Sequence, residues 1–395
     1  MKTSYKLASV LSAVTLLAVT GVAIGQGANS RKIVVFDEAH FNGAYAETVI
    51  AKHSGVKVKD LDFVRGKVIN ISKKEASLLA TEAGILSVED DAVMFIQAKP
   101  GTGGGDPTVA AQILPWGVDK VDAELVWPSG NTADPIKVAV IDTGISNKHS
   151  DLKANIKGGY NAININRSWN DDNGHGSHVA GIIAGINNSQ GVVGAAHQAD
   201  LYAVKVLGAN GSGFMSDVIE GIGWASSNGM NVVNMSLGCA CNSQALHDAV
   251  INAKNAGVII VAAAGNDQTQ PVIYPAAYPE VIAVGATDKN NQIASWSSHG
   301  PEVDVSAPGV SIYSTYKGTG YATLSGTSMA TPHVVGAIAL LLNTPVGNYD
   351  ELANEKWDFA EVRAKLSTSS VDLGLAGWDE YFGFGLVNAL SLVTQ

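Results

Sequence analysis

Val138-Ala-Val-Ile-Asp-Thr-Gly144 is the stretch that decides the fold. Residues 136–141 read as an apolar strand that ends on a carboxylate, Asp142, and then turns at once. The same reading recurs at 201–206, 232–235, 258–263 and 281–285. Helical stretches lie between these strands, at 174–186, 214–228 and 243–256, and 327–342 is a long apolar helix. Buried strands alternating with helices predict an α/β domain, a three-layer parallel sheet with helices on both faces. Ligands and catalytic groups in such sheets gather at the carboxyl ends of the strands, which is where Asp142 stands.

Upstream the pattern changes. Residues 32–36 read as a strand, 44–52 as a helix, and 56–71 as a strand or hairpin about Arg65-Gly66. An amphipathic helix at 73–82 follows, with Ser72 as its N-cap, and 85–96 ends as a strand. This β-α-β-β-α-β order predicts a small ferredoxin-like α+β unit, marginal in stability by itself. Lys99-Pro-Gly-Thr-Gly-Gly-Gly-Asp-Pro107 then reads as a linker or a protease-sensitive connection. At the start, Lys2 and Lys6 precede an apolar run over 7–24, and Ala23 and Gly25 supply small residues for cleavage after Gly25. That is the pattern of a signal peptide and predicts an exported protein.

The 395 residues are 46% hydrophobic and 15% charged, enough to bury a large core and unlike a disordered chain. Residues 26–97 carry 9 basic and 10 acidic side chains, whereas 98–395 carry 14 and 26. An acidic domain does not attract nucleic acid or anionic lipid, and it favours bound cations. There are two cysteines, Cys239 and Cys241. Either they form one disulfide, for which the backbone must bend, or they are two free thiols.

Two further motifs join Asp142. His175 lies in Asp172-Asn-Gly-His-Gly-Ser-His-Val-Ala-Gly181, at a helix start. His178, one turn on, reads as a structural donor, because a zinc site would need a third ligand. Ser328 lies in Gly326-Thr-Ser-Met-Ala-Thr-Pro-His333 and opens the long apolar helix. Backbone N–H groups and the positive dipole end converge on such a position, which suits a developing oxyanion. Singly these signals are weak: an Asp after a strand is more often a turn or helix cap, and a Ser at a helix start an N-cap.

Together, the order Asp, His, Ser in the contexts D-T-G, H-G-S-H-V-A-G and G-T-S-M-A-T-P-H resembles the subtilisin family (the subtilases). The resemblance covers nearly everything after Gln112, and residues 31–97 more loosely. Ser177 departs from it conservatively, standing where the family usually has Thr. The resemblance implies a secreted serine endopeptidase with Asp142, His175 and Ser328 as its triad. It implies an oxyanion hole from Asn266 and the Ser328 N–H, and substrate strands at Gly211, Ser212, Gly213 and at Ser236, Leu237, Gly238. Cys239 falls where relatives often have Gly, at the rim of the pocket before the cleaved bond.

The resemblance also implies structural Ca²⁺. A strong site would use Gln112, Asp151, Ile186, Asn188, Gln190 and Val192, and a weaker one the carbonyls of Ala276, Tyr278 and Val281. Asp171 and Asp172 read either as a further ion site or as a solvated loop. The implied division is a signal peptide at 1–25, an inhibitory propeptide at 26–97, a processing region at 98–111 and a catalytic domain at 112–395. The partners expected are protein or peptide substrates and the chain's own propeptide, with no nucleic acid, no lasting membrane association and a monomeric state. Two other classes compete. A non-cleaving peptide-binding protein on the same fold would have lost a triad residue, and none is lost. An α/β-hydrolase esterase would carry G-x-S-x-G, which the chain lacks.

Overall fold

β1 (Asn29–Phe36), α1 (Gly43–Lys52), β2 (Val56–Leu61), β3 (Gly66–Ser72), α2 (Lys73–Leu79) and β4 (Ile85–Asp90) open the computed structural model, which describes residues 29–41, 43–99 and 111–395. The reading of 1–25 as a signal and the glycine-rich stretch 100–110 lie outside the described residues. The four strands pair in the order β2-β3-β1-β4, the arrangement expected from the element order. Period-two alternation gives this small sheet two apolar faces. Val34, Phe36, Ile69 and Ile71 pack on α1 and α2, whereas Ile33, Val35, Leu61 and Val68 join the core of the larger unit. Ser72 caps α2 as read, its Oγ accepting from the Glu75 N–H at 3.3 Å.

The stretch read as one strand to residue 96 is two strands. After β4 the chain turns at Asp91, and β5 (Val93–Ile96) leaves the small sheet for the larger unit. The cause is a tertiary contact, because the Asp91 carboxylate turns to accept from the Ser216 N–H (2.8 Å) and Oγ–H (2.7 Å).

The larger unit begins with the short α3 (Trp116–Lys120) and then alternates as expected. β6 (Lys137–Asp142), β7 (Ile156–Asn161), α4 (His175–Ala184), β8 (Asp200–Lys205), β9 (Ser212–Phe214), α5 (Met215–Ser227), β10 (Val232–Met235) and β11 (Leu237–Gly238) form its first half. α6 (Gln244–Asn255), β12 (Ile259–Ala263), β13 (Ile282–Thr287), β14 (Val303–Pro308), β15 (Ile312–Thr315), β16 (Tyr321–Leu324), α7 (Thr327–Leu342), α8 (Phe359–Ser369) and α9 (Ala389–Thr394) complete it. Seven strands make one sheet in the order β14-β13-β12-β10-β6-β8-β7, with every neighbouring pair parallel.

In β6, Val138 and Val140 face a core shared with α4 and α7, while Ala139 and Ile141 face one shared with α5 and α6. Each fully buried Val or Ile contributes about 1.5–3 kcal/mol, so a one-residue slip would be costly on both faces. The register that puts Asp142 at the strand's end is thereby held. β7 and β14 were not read as strands. They are the sheet's edges, and Gly158-Gly159 in one and Asp304 and Pro308 in the other break the apolar signal. Residues 327–341 of α7 are buried all round, which makes it the central helix of its layer. No helix among the described residues is long and apolar enough to cross a membrane.

Candidate active site

Asp142 ends β6 and His175 begins α4, both fully buried. The His175 Nδ1 lies 2.8 and 2.9 Å from the two Asp142 carboxylate oxygens. Gly176 permits this approach, because a Cβ there would lie 2.2 Å from the Gly144 carbonyl and 3.2 Å from Asp142. Asp171 then freezes the loop. Its carboxylate accepts from the Thr143 hydroxyl, the Asn173 and Gly174 N–H groups, and both the N–H and hydroxyl of Ser177, all at 2.6–2.9 Å. Asp171 is thus spent on organising the loop, and Asp172 pairs with Lys205 at 2.7 Å. His178 is a structural residue as read. Its Nε2 lies 3.0–3.1 Å from the carbonyls of Ala322 and Ile312, and burial, then the neighbouring His175, pulls its pKa down to about 3.

Ser328 stands in the first turn of α7. Its hydroxyl donates to the Ser236 carbonyl at 2.8 Å, and the Ser236 hydroxyl donates to the Ser328 carbonyl at 2.9 Å. Pro332 explains the second bond. It stands four residues on and has no N–H, so the Ser328 carbonyl is free for a partner outside the helix. The Ser328 hydroxyl is therefore bonded to Ser236 and not to His175, whose Nε2 has no hydrogen-bond partner among the described residues. The Asp–His limb of the candidate triad is formed, and the His–Ser hydrogen bond is not made.

Asn266 follows β12. Its Oδ1 accepts from the Thr327 N–H and hydroxyl, both at 2.9 Å, which commits the amide nitrogen to the opposite side. On that side runs the chain segment 93–99. β5 lies antiparallel between β9 and β11, pairing Met94 with Gly213, Phe95 with both Ser212 and Gly238, and Ile96 with Leu237. The Ile96 N–H donates to the Gly211 carbonyl (3.0 Å) and the Gln97 N–H to the Ser236 carbonyl (3.1 Å). The Ser328 N–H then donates to the Gln97 carbonyl at 3.1 Å, and the Lys99 N–H to the Ser325 carbonyl at 2.7 Å. All six residues read as substrate strands line this groove, and an extended chain fills it. Cys239 and Cys241 are joined, with Cα atoms 5.2 Å apart, and a pair of 3.0 Å backbone bonds holds Cys239 to Tyr274 beside Gly238.

The residues read as the strong calcium site also meet. Asp151, fully buried, accepts from the Asn188 Nδ2 (2.9 Å), the Val192 N–H (2.9 Å) and the Tyr321 hydroxyl (2.8 Å). The Gln112 side chain donates to the Ile186 carbonyl (2.8 Å) and accepts from the Asn188 N–H (3.2 Å). The Gln190 N–H donates to the Asn188 Oδ1 at 2.8 Å. One carboxylate, two amide oxygens and three carbonyls from these residues would make a hard, all-oxygen set of the kind Ca²⁺ takes. Of the weaker set, the Tyr278 carbonyl already accepts from the Val281 N–H at 3.1 Å, and no carboxylate was assigned to it.

Three residues escaped the sequence reading: Thr327, which orients Asn266; Tyr321, which binds Asp151; and Lys205, whose buried ammonium donates to the carbonyl of Thr143, the residue after Asp142. Only Lys205 left a signal, a lysine within the otherwise apolar run 201–206.

Known proteins resemble the chain along most of its length. The model of the subtilase family matches residues 133–385. An alkaline protease of Alkalihalobacillus alcalophilus is 44% identical over 321 residues, 81% of this chain and 77% of the relative. Subtilisin Savinase of Lederbergia lenta is 48% identical over 279 residues, 71% and 98%. A thermostable alkaline protease of Halalkalibacterium halodurans is 38% identical over 389 residues, 98% and 99%. With the seven-stranded parallel sheet, these likenesses establish that the chain belongs to the subtilase family and is a subtilisin-like serine endopeptidase.

Proposed function

We propose that the chain is made as an exported zymogen that cuts itself after Gln97 and then cleaves other extended chains in the same groove. Substrate adds a strand between residues 211–213 and 236–238. The Ser328 hydroxyl turns from the Ser236 carbonyl toward His175 Nε2, which takes its proton as Oγ attacks the substrate carbonyl. Asp142, bonded to Nδ1, holds the neutral tautomer and stabilises the imidazolium that forms. The Ser328 N–H and the Asn266 amide receive the oxyanion. His175 then protonates the leaving amine, and water releases the acyl group by the reverse steps.

The observation that carries this reading is the Gln97 carbonyl, held by the Ser328 N–H at 3.1 Å. A main-chain carbonyl bound there stands where the oxyanion would form, with Ala98 on the leaving side.

Residues 26–97 act as the inhibitor under this reading, and 98–111 as the processing region. The docking contacts support it. Asp91 and Glu89 accept from the Ser216 and Ala245 N–H groups, in the first turns of α5 and α6, and Lys59 pairs with Asp217 and Glu220. Carboxylates at helix N-termini are favoured by the exposed N–H groups and the dipole. Ca²⁺, when bound by Gln112, Asp151, Ile186, Asn188, Gln190 and Val192, would favour the native fold over the unfolded chain. Export rests on the pattern over residues 1–25.

Ser328→Ala in the full chain is the test. It should abolish peptide hydrolysis and leave residues 26–97 attached, as read by intact mass. Normal maturation of that variant would refute self-processing.

A further inference from the structure

We propose that Lys205 is a positioning residue for the triad, because its buried ammonium fastens together three segments that carry the reaction. The inference rests on the assignment of Asp142, His175 and Ser328 above.

Lys205 ends β8 in register with Asp142 on β6, and is 5% exposed. Its Nζ donates to the Thr143 carbonyl (2.7 Å), the Leu207 carbonyl (2.9 Å) and the Asp172 carboxylate (2.7 Å). An ammonium has three donors, and each meets one acceptor. Desolvating such a cation is costly unless it is fully bonded, so the lysine is tolerated here only with these three partners.

Each partner leads to a different part of the site. Thr143 follows Asp142, its N–H donates to the Asp142 carboxylate at 2.7 Å, and its hydroxyl accepts from the Gly176 N–H at 2.9 Å. Asp172 lies in the loop that runs into His175. Leu207 opens the turn that leads to β9, where the Gly208 N–H donates to the Ser212 carbonyl at 2.9 Å. One tetrahedral group thus sets the spacing of the acid turn, the base loop and one substrate strand. The Asp172 side chain is 54% exposed, so that ion pair is screened, and the two carbonyls are the firmer ties. Arginine keeps the charge, but its planar fork does not reproduce three donors radiating from one nitrogen.

The test uses the mature enzyme, counted by active-site titration with an irreversible acylating inhibitor. Substrates are a single-residue ester and an extended peptide amide. Lys205→Met should lower kcat per titrated site on the order of 10²-fold on both, as expected for a displacement of about 1 Å in the triad. KM should rise for the extended peptide alone, because only that substrate uses β9. Lys205→Arg should restore part of kcat. A purely structural lysine would lower melting temperature and the number of titrated sites while kcat per site stayed the same. Parental kcat in Lys205→Met therefore overturns the proposal. If Lys205→Met yields no titratable sites, Lys205→Arg decides: a lowered kcat supports the proposal and a parental one overturns it. Ser328→Ala is assayed in parallel, since activity surviving there would sink the triad itself rather than the role of Lys205.

Discussion

Gly326→Ala is the substitution that most directly tests how a chain sits in the groove. A Cβ at Gly326 would lie 2.3 Å from the Gln97 carbonyl oxygen, 3.0 Å from the Ala98 Cα and 3.2 Å from the Asn266 amide nitrogen. The two shorter contacts are both with the segment that fills the groove. The backbone φ of 158° with ψ of 162° is one that essentially only glycine adopts, so alanine also costs about 1–3 kcal/mol of backbone strain, which melting temperature and the number of titrated sites read separately from the rate. An ordinary contact is about 3.4 Å or more, so the docked carbonyl must retreat by about 1 Å. A misplacement of that size costs on the order of 10²-fold in rate. At 1.36 kcal/mol per decade this is about 2.7 kcal/mol of lost transition-state stabilisation. The assay has two arms. Intact mass over time should show residues 26–97 leaving about a hundredfold more slowly than in the parent. Mature enzyme, counted by active-site titration, should show a matching fall in kcat/KM on an extended peptide. Parental rates in both arms would refute the reasoning, because substrate carbonyls would then not pass beside Gly326.

Two further outcomes concern stability, and both are best read on Ser328→Ala, which should not digest itself. Chelation with EDTA should lower the melting temperature by several degrees, since an ion at a hundred times its Kd stabilises by about 2.7 kcal/mol. Asp151→Asn should remove most of that response, and identical melting curves with and without EDTA would count against the assigned ligands. The pH dependence follows from two buried histidines, His178 and His333, whose pKa values burial lowers from 6.5 to about 3 and about 4. Between these values and 6.5 the unfolded chain binds the extra protons, so stability rises with pH in that window and is flat above it from these groups. The slope is at most about 2.7 kcal/mol per pH unit for two protons. The urea midpoint should therefore fall between pH 7 and pH 5, and an unchanged midpoint would contradict the neutral, buried state of both rings.

The order of elements and the three motifs were legible in the chain because they rest on local rules. Apolar runs bounded by turn residues mark buried strands whatever surrounds them, and a carboxylate placed after such a run must lie at a strand end. The edge strands Ile156–Asn161 and Val303–Pro308 were illegible because the Gly pair and the Asp and Pro that an edge tolerates interrupt their apolar runs. The break after Asp90 was equally hidden, since its cause is the N-terminus of a helix more than a hundred residues away. So was the choice between a disulfide and two thiols at Cys239 and Cys241, which depends on how the strand bends beside Tyr274.

Asp142, His175 and Ser328, by contrast, were named from sequence, along with Asn266 and the six groove residues. Tertiary structure alone decided how they stand to one another. Asp142 and His175 are in contact, Ser328 is turned to Ser236, Pro332 leaves a carbonyl open for that exchange, and the Gln97 carbonyl lies on the Ser328 N–H. A motif records which groups a site has, because each was placed by its own strand or helix start. Which hydrogen bond each group makes depends on partners brought in from other segments, and on the buried Lys205 that ties three of those segments together.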